Sequence, residues 1–312
     1  MEKKRVLVTG GAGYVGSVLV PSLLQKGYQV TVLDNLMYDN GKSVLQNFWD
    51  KNFQFVEGDV SDRLLVEKLV GQVDHIIHLA AIVGYPACRK NEQLAHQVNV
   101  GGTENIARAA QPHQTVQFAS TGSVYGAIDG VCTEESEANP LTIYGINKLD
   151  GEKILKQHCT PIIYRFATAF GLAGRLRMDL MVNDFVYQSL HTKHLIVYEK
   201  NFRRTFIHVR DIARVFIHGL ENYDRMKGQT YNVGHETMNH TKEDIVNKIR
   251  ARIKFYLHFA EFAKDQDQRD YEVDYSKIRA TGFETSVTMD EGLRELIDAF
   301  KIVSIPNPYS NI

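Results

Sequence analysis

The chain of 312 residues lacks the features typical of secreted, membrane or nucleic-acid-binding proteins. Its three cysteines, Cys88, Cys132 and Cys159, are too few and too scattered for a disulfide framework or a zinc site. No apolar run approaches a membrane span, and the start, MEKKRVLVTGG, shows no apolar signal segment. Lys and Arg (36) balance Asp and Glu (37), so no field of one sign attracts nucleic acid. We therefore expect a cytoplasmic protein with no metal and with no nucleic-acid or membrane partner.

The composition is otherwise that of a globular protein with a substantial core. Hydrophobic residues make up 44% of the chain, and its length suits one large domain or a domain with a smaller companion. The sequence contains no internal repeat, low-complexity segment or Pro/Gly/Ser-rich linker. Any boundary between two parts of the molecule is therefore not marked by composition.

A strand, a glycine-rich turn, a helix and a second strand follow one another near the start. Residues 6–8 are a short apolar run typical of a buried strand, and TGGAGYVG follows. Residues 28–33 are predicted to form a second strand, which stops at Asp34. Gly10 permits the tight turn, Gly13 lets the backbone approach a pyrophosphate, and Gly16 lets the helix lie close to the strand. Phosphates are favoured at the start of the helix, and a carboxylate about 20 residues on can accept ribose hydroxyls while repelling a 2′-phosphate. This pattern predicts a site for NAD rather than NADP.

Strand-like and helical patterns then alternate as far as about residue 170. Strands are predicted at 53–56, 75–79, 115–119 and 162–166, with helices at 62–70, 92–110 and 142–158. This alternation indicates a doubly wound, mostly parallel Rossmann sheet, whose ligands bind beyond the carboxyl ends of the strands. Beyond residue 171, helices at 178–190, 209–222, 242–252 and 289–300 mix with short strands at 195–198 and 230–233. We predict an NAD-binding domain at 1–170 and, at 171–312, a smaller mixed α/β lobe that binds substrate and returns some segments to the first domain.

Tyr144 and Lys148 lie four residues apart, hence on one face of a helix. A free tyrosine, with a pKa of about 10, is a poor base at neutral pH. A nearby ammonium and the positive charge of an oxidised nicotinamide favour the phenolate, which could then take a proton from a sugar hydroxyl. The strand before this helix ends in STGSVYG, where a hydroxyl such as that of Thr121 could relay the proton. Each pattern alone also fits a surface helix or an ordinary turn.

Several motifs, in this order along the chain, resemble the extended short-chain dehydrogenase/reductase family of NAD-dependent nucleotide-sugar epimerases and dehydratases. They are TGGAGYVGS, Asp34-Asn35, GDV at 58–60, HLAA at 78–81, NVGGT at 99–103, STGSVYG, YGINK and RTFIHVRDIA at 204–213. The resemblance implies catalytic roles for Tyr144, Lys148 and Thr121. It also implies a set of cofactor-binding residues: Gly10, Gly13, Tyr14, Val15, Gly16, Asp34, Asn35, Asp59, Val60, Leu79, Ala80, Ala81, Asn99, Tyr144 and Lys148.

Two departures from the family pattern bear on the reaction. Sugar 4,6-dehydratases follow the threonine with an acid pair that eliminates water, whereas this chain has Gly122 and Ser123, which disfavours dehydration. Thr168 stands where the family often has an asparagine that touches substrate phosphate. The expected reaction is oxidoreduction at C4 of a nucleotide-activated sugar, as in a 4-epimerase working through a 4-keto intermediate. RLRMDL and FRRTFIHVRD also resemble a subgroup that oxidises GDP-linked heptoses at C4, so a 4-oxidase and, less favoured, a non-catalytic dinucleotide-binding module remain open.

Substrate contacts are expected mainly from the second lobe, because arginine matches a diphosphate well. The candidates are Ser123, Tyr85, Thr168, Arg175, Arg177, Asn183, Arg204 and Arg269. The resemblance also implies a homodimer formed through the helices at 92–110 and 142–158. Cys88 and Cys132 are expected to be structural thiols, His208 a structural residue, and His191 and His194 surface residues rather than metal ligands.

Overall fold

The computed structural model describes residues 4–127, 130–260, 272–303, 305 and 308–309. The strands in these ranges are β1 (Arg5–Thr9), β2 (Gln29–Asp34), β3 (Phe53–Glu57), β4 (His75–His78), β5 (Thr115–Thr121), β6 (Val131–Cys132), β7 (Ile162–Phe166), β8 (Thr168–Phe170), β9 (His194–Tyr198), β10 (Arg203–His208), β11 (Thr230–Val233), β12 (Asn239–Thr241), β13 (Tyr256–Ala260) and β14 (Glu272–Val273).

The helices in the same ranges are α1 (Gly16–Gln25), α2 (Arg63–Val70), α3 (Tyr85–Lys90), α4 (Glu92–His96), α5 (Gly102–Ala109), α6 (Ile143–His158), α7 (Met181–His191), α8 (Val209–Glu221), α9 (Tyr223–Met226), α10 (Lys242–Arg250), α11 (Ser276–Arg279) and α12 (Met289–Phe300). Short 3₁₀ segments occupy Gly41–Trp49, Gly122–Val124 and Glu236–Met238, and a π-helical turn occupies Gln97–Gly101.

Seven parallel strands form the main sheet, in the order β3-β2-β1-β4-β5-β7-β11. Alternate side chains of each strand face opposite sides, as the two-residue period of a strand requires. In β1, Val6 and Val8 pack into a cluster that includes Leu19 of α1 and Phe216 of α8, whereas Leu7 packs into a second cluster with residues of α2, α5 and α6. The sheet is therefore covered by helices on both faces, which confirms the predicted doubly wound α/β fold.

The predicted helix at 92–110 is interrupted rather than regular. It consists of α4, the π-helical turn and α5, and Asn99 lies in the turn. A Cβ on Gly102, where α5 begins, would lie 2.6 Å from Val60 Cγ2, so the helix approaches the neighbouring loop more closely than an alanine would allow. The predicted strand at 28–33 is also shifted by one residue. Asp34 is its last residue and pairs with Glu57 of β3.

A second, smaller group of elements lies beyond β7. Strands β8, β10 and β12 form a mixed three-stranded sheet, and β9 pairs with β13. These pack with α7, α10 and α12 around a separate apolar cluster that includes Phe170, Phe206 and Leu293. Helix α7 begins at Met181, not at the predicted residue 178, because Leu180 is still extended (φ −80°, ψ 126°). β11, although late in the chain, joins the main sheet beside β7.

No helix in the described ranges combines the length and the apolar character needed to cross a membrane.

Candidate active site

One cleft runs along the carboxyl ends of β1, β2, β4 and β5 and is bordered on its other side by the segment that follows β8. It is the edge of the sheet where ligands of doubly wound proteins bind. The cleft brings together most of the site residues predicted from the sequence. They are Gly10, Gly13, Tyr14, Val15, Gly16, Asp34, Asn35, Asp59, Val60, Leu79, Ala80, Ala81, Tyr85, Thr121, Ser123, Tyr144, Lys148, Thr168, Arg175 and Arg177.

The glycine-rich turn is packed so closely that side chains would not fit. Gly10 has a φ of +72°, and a Cβ there would lie 2.7 Å from the backbone nitrogen of Ala80 in the loop after β4. A Cβ on Gly16 would lie 2.5 Å from the carbonyl oxygen of Gly11. Helix α1 begins at Gly16, and no side chain caps its N-terminus. The residues at this start line the cleft, so the positive end of the helix dipole faces it. This arrangement fits a diphosphate.

The carboxylate of Asp34 is held in place by backbone amides. It accepts hydrogen bonds from the N–H groups of Ala12 and Leu36, each at 3.0 Å. Partial burial raises the pKa of Asp34 above its ordinary value, and the two amides offset part of this effect. Asn35 donates from its amide nitrogen to the carboxylate of Asp59 at 2.6 Å, which joins the ends of β2 and β3. The Asp34 carboxylate, fixed beside the glycine turn, can accept hydrogen bonds from ribose hydroxyls.

Tyr144 and Lys148 both reach the cleft from the first turns of α6. This helix begins after Thr142, whose hydroxyl accepts a hydrogen bond from the N–H of Gly145. The Lys148 side chain is buried, its Nζ lies 4.6 Å from the centroid of the Phe118 ring, and it has no hydrogen-bond partner among the described residues. Burial lowers the pKa of Lys148 to about 8. Because a buried ammonium is costly without a partner, this cation fits a site completed by a polar ligand.

Thr121 ends β5, and its hydroxyl accepts a hydrogen bond from the N–H of Ser123 at 3.1 Å. The same hydroxyl donates to the Oγ of Ser123. The preceding Ser120 also lines the cleft and donates to the carboxylate of Glu152, which forms a buried ion pair with Arg165. The hydroxyl-rich turn is therefore anchored to α6 and β7 by a buried charged network.

The far side of the cleft carries two arginines of the segment after β8. Arg177 forms an ion pair with Asp179 and lies close enough to the Tyr144 phenol for electrostatic attraction. Arg175 has its guanidinium carbon 4.3 Å from the centroid of the Tyr38 ring and is attracted to Asp34. Burial and the neighbouring charge of Arg177 lower the pKa of Arg175, so the two guanidinium groups lie near each other.

Three predicted site residues in the described ranges do not line the cleft. The Asn99 side-chain amide accepts a hydrogen bond from the N–H of Ile82 and donates one to its carbonyl oxygen, which fixes the loop after β4. Asn183 is fully buried and bonds the backbone of Gly171 and Arg177, and Arg204 is buried on β10 without lining the cleft. Substrate contact by Asn183 and Arg204 therefore stays a prediction, which their burial does not favour. Arg269 lies outside the described residues.

The remaining candidates of the sequence have local partners. His208 is fully buried and caps α8 by accepting from the N–H of Arg210, and Cys88 and Cys132 are buried thiols. His191 bonds the carbonyl oxygen of Phe300, and His194 bonds that of Thr192. Within the part of the chain that the structure describes, no group of three or more His, Cys, Asp or Glu could hold a metal ion.

Sequence reasoning missed several residues that line the cleft. The most informative is Tyr38, four residues after Asp34 in the loop that follows β2. Its signal was an aromatic residue just beyond the acid, at the carboxyl end of a strand. Another is Asn40, in the same loop as Tyr38, and residues from elsewhere in the chain include Val98, Thr142, Leu180 and Ile212.

The sheet, the uncapped start of α1 and the acid at the end of β2 define the class of dinucleotide-binding α/β proteins. Comparison with known proteins agrees and is more specific: the model of the NAD dependent epimerase/dehydratase family matches residues 6–234. The chain belongs to this family and is an NAD-dependent enzyme.

Relatives and solved structures cover nearly the whole chain. A putative UDP-glucose 4-epimerase of Methanocaldococcus jannaschii is 28% identical over 95% of this chain and 98% of its own length. The low-salt glycan biosynthesis protein Agl12 of Haloferax volcanii is 31% identical with the same two coverages. The crystal structure of UDP-glucuronic acid 4-epimerase from Bacillus cereus, in complex with UDP-glucuronic acid and NAD, is 25% identical. It superposes with a TM-score of 0.86 over 95% of this chain and 99% of that one.

Proposed function

We propose that this protein is a nucleotide-sugar 4-epimerase, which oxidises the sugar at C4 and reduces it again on the opposite face. The observation that carries the proposal is the meeting of Tyr144, Lys148 and Thr121 in the cleft that also contains the glycine turn and Asp34. The names of the relatives support a 4-epimerase, since two of the three compared proteins are described as epimerases acting at this carbon.

The residues that would hold NAD lie at the carboxyl ends of the main-sheet strands, at the start of α1 and on α6. The start of α1 faces the diphosphate, Asp34 accepts from the ribose, and Lys148 supplies a cation beneath the nicotinamide side. NAD, when bound, supplies the hydride chemistry. Asp59 and Val60 border the adenine end, and Leu79, Ala80 and Ala81 border the other.

Tyr144 is the proposed base, which takes the proton of the C4 hydroxyl and returns it in the reverse step. Lys148 favours the phenolate form of Tyr144 through its charge, and the attraction of Arg177 acts in the same direction. The hydroxyl of Thr121 shares a hydrogen bond with the reacting hydroxyl and helps to orient it. Tyr85, Ser123, Thr168 and Arg177 are proposed to border the sugar and its diphosphate.

The distribution of acids argues against a dehydratase. Among the described residues that line the cleft, the acids are Asp34 and Asp59, and both lie at the ends of β2 and β3. A dehydratase needs an acid beside the reacting sugar to protonate the leaving hydroxyl. The turn after Thr121 carries Gly122 and Ser123 in those positions.

The test is turnover of a panel of UDP-, GDP-, CDP- and dTDP-sugars, with products identified by mass spectrometry and NMR. A C4-epimeric product of unchanged mass, without net formation of NADH, is the expected result. A ketone that accumulates with NADH would instead establish a 4-oxidase, and loss of water would establish a dehydratase. No NADH signal and no product with any sugar would leave only a dinucleotide-binding module. The Tyr144→Phe variant, analysed in parallel, controls for contaminating activity.

The remaining parts of the proposal concern organisation. We propose a dinucleotide domain at residues 1–170 and a substrate-binding lobe at 171–312 that returns β11 to the main sheet. We also propose a cytoplasmic homodimer formed through α4, α5 and α6, where Ile146 is an exposed apolar residue. Sedimentation equilibrium tests the dimer, and a monomeric mass at micromolar concentration would contradict it.

A further inference from the structure

Arg175 belongs to the second lobe, yet its backbone is fixed to the first turn of α1. Its N–H donates to the hydroxyl of Ser17 at 3.1 Å, and that hydroxyl donates to the carbonyl oxygen of Tyr14 at 3.0 Å. The residue before it, Gly174, packs on the same turn, since a Cβ there would lie 3.3 Å from the Cβ of Ser17. The segment therefore lies against the part of the chain where a diphosphate would bind.

The side chain of Arg175 is directed to the same end of the cleft. Its guanidinium lies over the Tyr38 ring, 4.3 Å from the ring centroid, and is attracted to the carboxylate of Asp34. Tyr38 and Asp34 both belong to β2 and the loop after it, where the ribose of the dinucleotide is expected. Arg177, whose charge repels that of Arg175, is paired with Asp179 and is attracted to Tyr144.

We propose that Arg175 is a cofactor clamp: a guanidinium supplied by the second lobe that binds the diphosphate or ribose of NAD from the side opposite α1. The planar fork of arginine matches phosphate oxygens, and the stacking on Tyr38 holds that plane in position. The amides at the start of α1 and the guanidinium then enclose the charged centre of the dinucleotide. The clamp rests on the proposed binding of NAD in this cleft.

The clamp differs from the substrate-binding role predicted for Arg175 from the sequence. The contacts that support this role are made with Ser17 on α1, with Asp34 at the end of β2 and with Tyr38 in the loop after β2. The two roles differ in the ligand whose binding depends on Arg175, and so they can be separated by experiment.

The test is the rate at which bound NADH leaves the holoenzyme when displaced by excess NAD, followed by stopped-flow fluorescence. Arg175→Ala should release NADH about 10- to 100-fold faster, the range expected for loss of a charge-assisted contact. Arg175→Lys should be intermediate, because lysine keeps the charge and loses the planar fork. Tyr38→Phe, which keeps the ring, should release NADH at nearly the wild-type rate, whereas Tyr38→Ala should accelerate release.

Arg63→Ala is the matched control, since Arg63 is an exposed arginine of α2 that pairs with Glu67. Its release rate should equal that of the wild type. Release from Arg175→Ala at the wild-type rate, together with a raised KM for the nucleotide sugar, would overturn the clamp and assign Arg175 to substrate. A wild-type protein that binds no NADH would overturn the proposed function itself. If Arg175→Ala does not fold, Arg175→Lys and Tyr38→Ala decide the matter, and wild-type rates in both would overturn the clamp.

Discussion

The two walls of the cleft are held in place by different means. The first wall, from β1 to the start of α1 and the end of β2, is shaped by neighbouring backbone: Gly10 and Gly16 approach main-chain atoms too closely for a side chain. The second wall, residues 171–183, is held by side chains from distant parts of the chain. Tyr14 donates to the carbonyl oxygen of Gly171, 157 residues away, at 2.8 Å, and Ser17 binds the N–H of Arg175.

The two walls therefore depend on different parts of the sequence. The first wall carries the machinery that any dinucleotide requires, and its geometry follows from a short motif. The second wall carries Arg175 and Arg177, which are proposed to contact the ligands, and its shape depends on a few long-range hydrogen bonds. Substitutions in the two walls should therefore have distinguishable effects.

The largest effect is expected from Tyr144→Phe, which removes the proposed base on α6 and leaves the ring. The kcat should fall by about 10²- to 10⁴-fold, as for loss of a general base, while NADH binding stays at the wild-type level. Steady-state kinetics and a fluorescence titration measure the two quantities. A kcat within about tenfold of the wild type would remove Tyr144 from the mechanism.

The second prediction compares the loss of stability in Gly10→Ala with that in Gly27→Ala. Both glycines have positive φ, +72° and +87°, so both variants bear the strain of a left-handed backbone. Only Gly10 also lacks space, because its Cβ would meet the backbone of Ala80, whereas nothing lies within 4 Å at Gly27. The free energy of unfolding should fall by about 3–5 kcal/mol for Gly10→Ala and by about 1 kcal/mol for Gly27→Ala.

Urea unfolding monitored by circular dichroism measures both values. Equal losses would mean that backbone conformation alone, and not the contact with Ala80, requires glycine in the first wall.

Lys148→Met should stabilise the protein in the absence of cofactor. The pKa of Lys148 falls from 10.5 to about 8 on folding because of burial. Below pH 8 the lysine is charged in both states, and the folded state bears the full cost of roughly 3 kcal/mol. Between pH 8 and 10.5 the unfolded chain binds more protons, so wild-type stability rises with pH, and above 10.5 the cost has gone.

The stability difference between Lys148→Met and the wild type is therefore expected to shrink from about 3 kcal/mol at pH 7 to about 1 kcal/mol at pH 9.5. Urea unfolding of the stripped protein at the two pH values measures it. A difference that does not change with pH would mean that burial does not oppose the charge of Lys148.

Asn183→Ala should have a smaller effect, confined to the second wall. Its amide accepts from the N–H of Gly171 and donates to the carbonyl oxygens of Gly171 and Arg177. Loss of these buried bonds should cost about 2 kcal/mol and raise the KM for the nucleotide sugar through displacement of Arg177, with little change in NADH binding. Asn222→Ala, which removes a partly exposed bond to His218, is the control and should cost less than about 1 kcal/mol.

If Asn183→Ala weakens NADH binding as strongly as it raises the KM, the two walls do not act separately. Measuring both constants in the same preparation decides this point.

The first wall could be predicted almost completely from the sequence, because its signals are local. Strand β1, the glycine turn, helix α1 and strand β2 with its final Asp34 follow one another directly. Each has a composition that reflects its conformation. The interruption of the helix at 97–101 was not predicted, since a π-helical turn has no distinct pattern of apolar residues. Arg177 was expected near the substrate, but nothing in its neighbourhood indicated the attraction to Tyr144.

The class of fold, the family, the glycine turn, the acid at the end of β2 and the Tyr/Lys pair could be recognised from the sequence. Their signals are local, since spacing along one strand or helix places residues on a common face. The placement of the Arg175 guanidinium over the Tyr38 ring, the pairing of Arg177 with Asp179 and the burial of Asn183 and Arg204 became visible only in the folded molecule. These outcomes depend on contacts between residues far apart in the chain, for which local composition and periodicity carry no signal.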